Sequence, residues 1–131
     1  MRARRGQSGF TLVELIIVMA IIAILVSIAA PMYSVSVVRA REATLKQDLY
    51  HLRQSIDQYT MDKQRAPQSL EELVSAGYLR SIPIDPFTKN ADWEVVMEDV
   101  MNSIDQTQPG ITDVRSSAPG TSTEGSAYNT W

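Results

Sequence analysis

One carboxylate in this sequence stands where a charge is costly. Within the stretch GFTLVELIIVMAIIAIL, residues 9–25, Glu14 lies one helical turn after Phe10, inside an otherwise apolar run. A carboxylate near the centre of a bilayer costs about 2.5–3.5 kcal/mol even on the insertion scale with the smallest penalties. We therefore expect either that Glu14 lies shallower in a membrane than the run suggests, or that a positive group pairs with it.

The other reactive side chains do not form a recognisable catalytic set. His51 is the single histidine, and it lies between Leu49 and Leu52 in a helical pattern, where a structural role is the simpler interpretation. The sequence shows no nucleophile with a paired base and no Gly-rich phosphate loop, so we predict that the chain is not an enzyme. It contains no cysteine, which excludes disulfides and thiolate metal sites.

Basic and acidic residues are unevenly distributed along the chain. Arg2, Arg4 and Arg5 precede the apolar run, whereas all 15 acidic residues follow residue 9. Basic residues before an apolar segment keep the N-terminus in the cytoplasm and send the following chain across the membrane. The acidic remainder argues against binding of nucleic acid through a basic surface.

The apolar segment 10–32 is long enough to span a bilayer, for which about 20 residues suffice. Two simple interpretations are a secretory signal peptide, with SIA at 27–29 as a small-residue cleavage site, and a single-pass anchor. The run 15–30 is slightly long for the core of a signal peptide. Neither interpretation accounts for Glu14 or for the glycines Gly6 and Gly9.

The residues GFTLVEL, 9–15, resemble the processing motif of type IV pilins and type II secretion pseudopilins, and the chain is most similar to the major-pseudopilin type. The resemblance implies that a membrane aspartyl peptidase removes the leader 1–9 by cleaving between Gly9 and Phe10. The same enzyme would then methylate the new amine of Phe10. The resemblance also implies that Glu14 acts in filament assembly and that Pro31 bends the helix.

Cleavage would supply the positive group that Glu14 needs. Residues 10 and 14 lie one helical turn apart, so the new amine of Phe10 could partly compensate the carboxylate of its own chain. The resemblance implies in addition that Glu14 of an incoming subunit pairs with the Phe10 amine of its neighbour, since an unpaired charge in a low-dielectric setting is costly. The implied partners are further copies of the chain, the prepilin peptidase/methyltransferase, the inner-membrane secretion or pilus assembly platform, and minor pseudopilins.

A single long helix must position these residues. Nothing interrupts a helix from Phe10 to about Met61 except Pro31, which removes one backbone donor and is expected to kink it. Beyond Pro31, apolar residues recur at steps of three and four, the pattern of an amphipathic helix: Leu45, Leu49, Leu52, Ile56 and Tyr59. The opposite face is expected to be solvated, and it carries Arg39, Arg41, Lys46, Asp48, Arg53 and Asp57.

A short second helix is predicted after a break. Pro67 ends the long helix, Ser69 and Glu72 have capping-box spacing, and Gly77 suits a C-terminal cap. The predicted buried side of this helix consists of Leu70, Leu73 and Val74.

A small sheet is predicted in the last third of the chain. The turn Asp85-Pro86-Phe87 resembles the Asp-Pro turn that major pseudopilins have before a strand. Strands are predicted at 93–97 and 110–115, and the residues between them form either a loop or a helical turn. Residues 116–130 are predicted to be loop, held by Tyr128 and Trp131, and we interpret Trp131 as a packing anchor rather than a partner contact.

The resemblance also raises the question of calcium, which major pseudopilins typically bind in a C-terminal loop rich in Asp and Gly. Calcium takes six to eight oxygen ligands, several of them carboxylates. After Asp105 this chain offers only Asp113 and Glu124, so the family's acidic loop is missing. We therefore predict no metal site and no cofactor.

The sequence thus predicts an α+β, pilin-like fold, in which a long N-terminal helix packs on a small antiparallel sheet. Its parts would be the leader 1–9, the transmembrane and assembly helix 10–32, and a periplasmic domain 33–131 that includes the amphipathic half of the helix. The chain would cross the inner membrane once, with its N-terminus cytoplasmic before processing.

The predicted function is that of a structural subunit of a type II secretion pseudopilus, a periplasmic filament that supports protein export across the outer membrane. The small C-terminal domain and the lack of the cysteine pair common in surface pilins favour it. The alternatives are a type IV pilin, serving adhesion, motility or DNA uptake, and a monomeric membrane-anchored periplasmic protein.

Overall fold

The computed structural model describes residues 6, 8–98 and 109–131. Along the chain it contains helix α1 (Leu12–Lys63), helix α2 (Leu70–Ser75), strand β1 (Glu94–Glu98), strand β2 (Gly110–Arg115) and a 3-10 helix at Tyr128–Thr130. The predicted α+β, pilin-like fold is confirmed, since one long N-terminal helix packs on a small two-stranded antiparallel sheet. The chain divides into two compact units, Met1–Val37 and Val38–Trp131, with the boundary inside α1.

α1 begins slightly later than predicted because Thr11 caps it. The backbone N–H of Glu14 donates to Thr11 Oγ1 at 3.2 Å, the bond by which a threonine N-cap satisfies a free donor of the first turn. The helix ends at Lys63, just beyond the predicted end, and Gln64 follows in the left-handed region with φ 53°. The helix therefore stops before Pro67 instead of being ended by it.

The first unit presents apolar side chains all around α1. Phe10 is 87% exposed, and the large apolar side chains from Leu12 to Ile28 are exposed as well. Among the described residues, α1 is the one helix that is long and apolar enough to cross a membrane. Apolar surface around the whole circumference of a helix is typical of a segment that contacts lipid.

Pro31 lies inside α1, which continues on both sides of it. Two hydroxyl groups near it bond back to helix carbonyls: Ser27 Oγ donates to the carbonyl of Ile24 at 2.7 Å, and Ser34 Oγ donates to the carbonyl of Pro31 at 2.8 Å. Back-bonding of this kind often bends helices. The surroundings of Pro31 thus favour the predicted kink, which stays a prediction.

The core of the second unit forms around the predicted apolar stripe of α1. All of its members are buried: Leu45, Leu49, Leu52, Ile56 and Tyr59. They share one cluster with Leu73 of α2, with Ile111 and Val114 of β2, and with Trp93. Full burial of one such apolar side chain contributes about 1.5–3 kcal/mol, so this stripe is the main attachment of α1 to the rest of the unit.

α2 carries both predicted caps. Ser69 Oγ accepts the backbone N–H of Glu72 at 3.2 Å, while the Glu72 carboxylate reaches back to the backbone N–H of Gln68 at 2.8 Å. Gly77 adopts φ +85°, and the backbone N–H of Tyr78 donates to the carbonyl of Leu73 at 2.9 Å, as in a Schellman motif. These caps hold a helix that is too short to be stable by itself.

The sheet consists of β1 and β2 in antiparallel register. Glu94 pairs with Arg115 and Glu98 with Gly110, and the register shifts between Val96 and Met97, where β2 has one extra residue. β1 begins one residue later than predicted, because Trp93 turns into the core and donates its Nε1–H to the carbonyl of Pro83 at 2.8 Å. The segment 99–108, where loop and helical turn were both left open, lies outside the described residues.

The C-terminal segment, residues 116–131, contains more order than the predicted loop. An isolated bridge joins Thr121 to Ala127, and a 3-10 helix follows at Tyr128–Thr130. The Tyr128 ring stacks on Phe87 with centroids 4.3 Å apart and meets Trp131 edge to face at 5.3 Å. The two terminal aromatic residues therefore pack as anchors.

Candidate functional site

The predicted processing and assembly residues lie together at the start of α1. Ser8, Gly9, Phe10 and Glu14 line one open depression on the first unit. Pro31 lies about 25 Å further along the helix at 1.5 Å per residue, so it belongs to another part of the same element. The structure thus brings Phe10 and Glu14 together and leaves Pro31 separate.

The fold does not require a glycine at position 9. A Cβ atom built on Gly9 meets no heavy atom within 4 Å in the described part of the chain, and the same holds for Gly6. Gly77, in contrast, has a positive φ that other residues rarely adopt. A requirement for glycine at position 9 must therefore come from a molecule that binds this segment.

Glu14 occupies the first turn of α1 and is exposed. A carboxylate there is favoured by the helix dipole by about 0.3–1 kcal/mol. The three ion pairs formed within the described residues all lie in the second unit, and none of them involves Glu14. Its carboxylate is thus available to a cation from another molecule.

The two carboxylates considered for calcium are both engaged by cations of α1. Asp113 Oδ1 accepts Arg53 Nε–H at 2.6 Å, and Glu124 Oε2 lies 3.2 Å from Lys46 Nζ. Within residues 6, 8–98 and 109–131, no three Asp, Glu, His or Cys side chains are grouped so that they could hold a metal ion. Four of the six residues expected on the solvated face of α1 are exposed, while two are half-buried: Arg39, Arg41, Lys46 and Asp57 against Asp48 and Arg53.

Glu42 is a site residue that the sequence analysis missed. It lies on α1, and its side chain is only 6% exposed. Its Oε1 accepts the backbone N–H of Thr123 at 2.8 Å and the hydroxyl of Tyr128 at 2.9 Å, and its Oε2 accepts the hydroxyl of Thr123 at 2.6 Å. One carboxylate therefore binds two residues of the C-terminal segment.

The surroundings of Glu42 favour its ionised form. Burial raises the pKa of the Glu42 carboxyl, but hydrogen bonds from Thr123 and Tyr128 and the charge of Lys46 outweigh burial and hold the pKa below its ordinary value. The charged and titratable groups that face it are Arg39 and Lys46 on α1, and Glu124 and Tyr128 on the C-terminal segment.

Asp85 fixes the predicted Asp-Pro turn. Its side chain is buried, and Oδ1 accepts the backbone N–H of Phe87 at 2.8 Å while Oδ2 accepts the hydroxyl of Ser116 at 2.5 Å. The turn is therefore tied to the residue that follows β2. His51, the other polar residue considered, is exposed, and its ring lies 5.9 Å from that of Tyr50.

The N-terminal residues match a known family. The family described as "Prokaryotic N-terminal methylation motif" matches residues 4–30, a range that includes Gly9, Phe10 and Glu14.

Proteins of a bacterial secretion machinery are similar to the chain well beyond this motif. The type II secretion system core protein G of Pseudomonas aeruginosa is 32% identical over 100 residues, which cover 64% of this chain and 70% of that protein. The protein of the same name from Escherichia coli K12 is 32% identical over 103 residues, covering 66% and 71%. That of Klebsiella michiganensis is 29% identical over 118 residues, covering 78% and 82%. No solved structure gives a significant match.

Proposed function

The chain belongs to the family of the type II secretion system core protein G, the major pseudopilins, and we propose that it polymerises through its N-terminal helix into the periplasmic filament of that system. It is a structural subunit of the pseudopilus. The observation that carries this conclusion is that similarity to core protein G extends far beyond residues 4–30, the part shared with other proteins that carry the methylation motif.

Deletion of the gene in its host tests this function. Type II substrates should then accumulate in the periplasm, and a plasmid copy of the chain should restore their release into the medium. Normal secretion in the deletion strain, with loss of filaments from the cell surface, would instead support a type IV pilin.

Processing at Gly9 and Phe10 is the first step in this proposal. The surroundings of Gly9 are open and Phe10 is exposed, so both residues are accessible to a peptidase that cleaves between them. Cleavage removes the basic leader 1–9, and methylation follows on the new amine of Phe10.

Intact mass of the protein recovered from host membranes measures both events. We expect a species that lacks residues 1–9 and carries one methyl group. Gly9→Val should accumulate at full length, whereas Gly6→Val, at a position with equally open surroundings, should be processed normally. Equal processing of both variants would contradict cleavage at Gly9.

Assembly follows from the pairing of opposite charges in an apolar setting. Glu14 has no ion-pair partner within the described part of its own chain, and the processed Phe10 carries a positive amine close to it. In a filament, Glu14 of one subunit would meet the Phe10 amine of the next. The pairing fixes the register of neighbouring subunits because any other register leaves a carboxylate unpaired among apolar side chains.

The remaining partners and the topology follow from this role. The apolar part of α1 anchors the subunit in the inner membrane, with the leader in the cytoplasm and residues 33–131 in the periplasm. Before assembly the chain meets the prepilin peptidase/methyltransferase and the inner-membrane assembly platform, and in the filament it meets minor pseudopilins. Its role is structural rather than enzymatic.

A further inference from the structure

Two charged side chains of α1 bind the C-terminal segment, one of them buried and the other exposed. The buried one is Glu42, whose three hydrogen bonds come from Thr123 and Tyr128. Thr123 lies in the turn closed by the bridge between Thr121 and Ala127, and Tyr128 begins the 3-10 helix. Glu42 therefore binds both the bridged turn and the 3-10 helix of the C-terminal segment.

The exposed attachment, through Lys46, is weaker because solvent surrounds its charges. Lys46 pairs with Glu124 at 3.2 Å, with both side chains more than half exposed, and its ammonium lies 4.6 Å from the centre of the Trp131 ring. A second ion pair, between Arg53 of α1 and Asp113 of β2, leaves each side chain 40% exposed. Solvent screening makes such surface ion pairs small contributors, whereas hydrogen bonds to a buried carboxylate are among the strong ones.

The polar groups of the C-terminal segment that contact Glu42 on α1 are hydrogen-bond donors, which bind an anion rather than a cation. The donors aimed at Glu42 are one N–H and two hydroxyl groups, and they occupy both of its oxygens. The two carboxylates considered for calcium, Asp113 and Glu124, each pair with a cation of α1, Arg53 and Lys46 respectively, and lie in separate ion pairs. The residues present therefore do not fit the calcium ion that the family resemblance implies.

We propose that the Glu42 carboxylate takes the place of a divalent cation in this chain, so that the C-terminal segment closes onto α1 without calcium. A metal ion would bind carboxylates of the C-terminal segment. Here the carboxylate of Glu42 on α1 instead accepts hydrogen bonds from donors of that segment. The closed state then needs no ion from the periplasm.

Hydrogen–deuterium exchange on the purified full-length protein in detergent tests this proposal. Backbone exchange of residues 116–131 is compared in excess calcium and in EDTA, and we expect identical protection. Glu42→Gln keeps the shape and removes the charge, and residues 116–131 should then exchange about tenfold faster because hydrogen bonds to a charged acceptor are lost. Residues 70–75 of α2 should not change.

Three further variants separate this role from a general loss of stability. Tyr128→Phe removes one donor and keeps the ring on Phe87, so it should give a smaller increase than Glu42→Gln. Thr123→Ser keeps its hydroxyl donor and should match the wild type. Glu71→Gln, an exposed acidic residue on α2, is the matched control for loss of a charge and should also match it.

Two results would overturn the proposal: protection of residues 116–131 that requires calcium in the wild type, or unchanged exchange in Glu42→Gln. If Glu42→Gln does not fold, Tyr128→Phe and the calcium comparison decide the question. The measurement uses unassembled protein, so its outcome does not depend on whether Glu14 directs filament assembly.

Discussion

Replacing Glu14 by glutamine tests the proposed assembly mechanism most directly. The substitution Glu14→Gln keeps the size of the side chain and removes its charge. The Thr11 cap uses the backbone N–H of residue 14, not its side chain, so the start of α1 should be preserved. Cleavage between Gly9 and Phe10 should continue, while association of processed subunits should weaken.

The position of Glu14 sets the size of the expected effect. Glu14 lies two residues after the start of α1, about 3 Å along the helix axis, so its cost lies below the value for the bilayer centre of about 2.5–3.5 kcal/mol. The membrane-bound monomer therefore tolerates this carboxylate. Charge-assisted bonds contribute about 1.5–3 kcal/mol, so loss of the pair should weaken association of two subunits roughly ten- to a hundredfold.

Chemical cross-linking in host membranes measures this association. The wild type should give a ladder of multimers, and Glu14→Gln should give mainly monomer, with intact mass confirming that the leader has been removed. Glu14→Asp keeps the charge on a shorter side chain and should retain part of the ladder. Glu71→Gln removes a charge from an exposed position of α2 and should leave the ladder intact. A normal ladder in Glu14→Gln would refute the pairing of Glu14 with the Phe10 amine.

Two further predictions concern the second unit. Leu73 of α2 is fully buried, so Leu73→Ala should lower the free energy of unfolding by about 2–5 kcal/mol. A urea titration followed by tryptophan fluorescence measures this change. A decrease below about 1 kcal/mol would contradict the place of Leu73 in the core. The pKa of Glu42 is lowered in the folded protein, so its stabilising effect is full above the unfolded value near 4.5 and is lost as pH falls through the folded pKa. Melting temperatures measured from neutral pH to below pH 4.5 should therefore fall more steeply for the wild type than for Glu42→Gln, and parallel curves would contradict this assignment.

Sequence patterns predicted the helices because the information that forms them is local. The stripe from Leu45 to Tyr59 repeats at helical spacing, and Ser69, Glu72 and Gly77 lie within one short helix and its caps. The register of the sheet, in contrast, depends on contacts between distant parts of the sequence. The extra residue opposite Val96 and Met97 depends on how β2 meets its neighbour, and no local pattern in either strand specifies that bulge.

Long-range polar contacts escaped the sequence analysis for the same reason. Arg53 and Lys46 read as members of a solvated face, yet each meets a carboxylate more than 50 residues away. Asp85 was recognised only as part of a turn, although its second oxygen accepts the hydroxyl of Ser116. A charged side chain on a helix does not reveal by its own position whether a distant segment will lie over it.

Glu42 did leave a signal in the sequence, and it is the same signal that drew attention to Glu14. Glu42 precedes Leu45 by three residues, so it continues the stripe of Leu45, Leu49 and Leu52 as its single charged member. A carboxylate that helical spacing places on an apolar face destabilises the protein unless hydrogen-bond donors or a positive charge compensate its desolvation. This holds whether the face packs against protein or contacts lipid. Glu42 finds its donors within its own chain, in Thr123 and Tyr128. Glu14 has no ion-pair partner among the described residues, which is why its partner is best sought on a second copy of the chain.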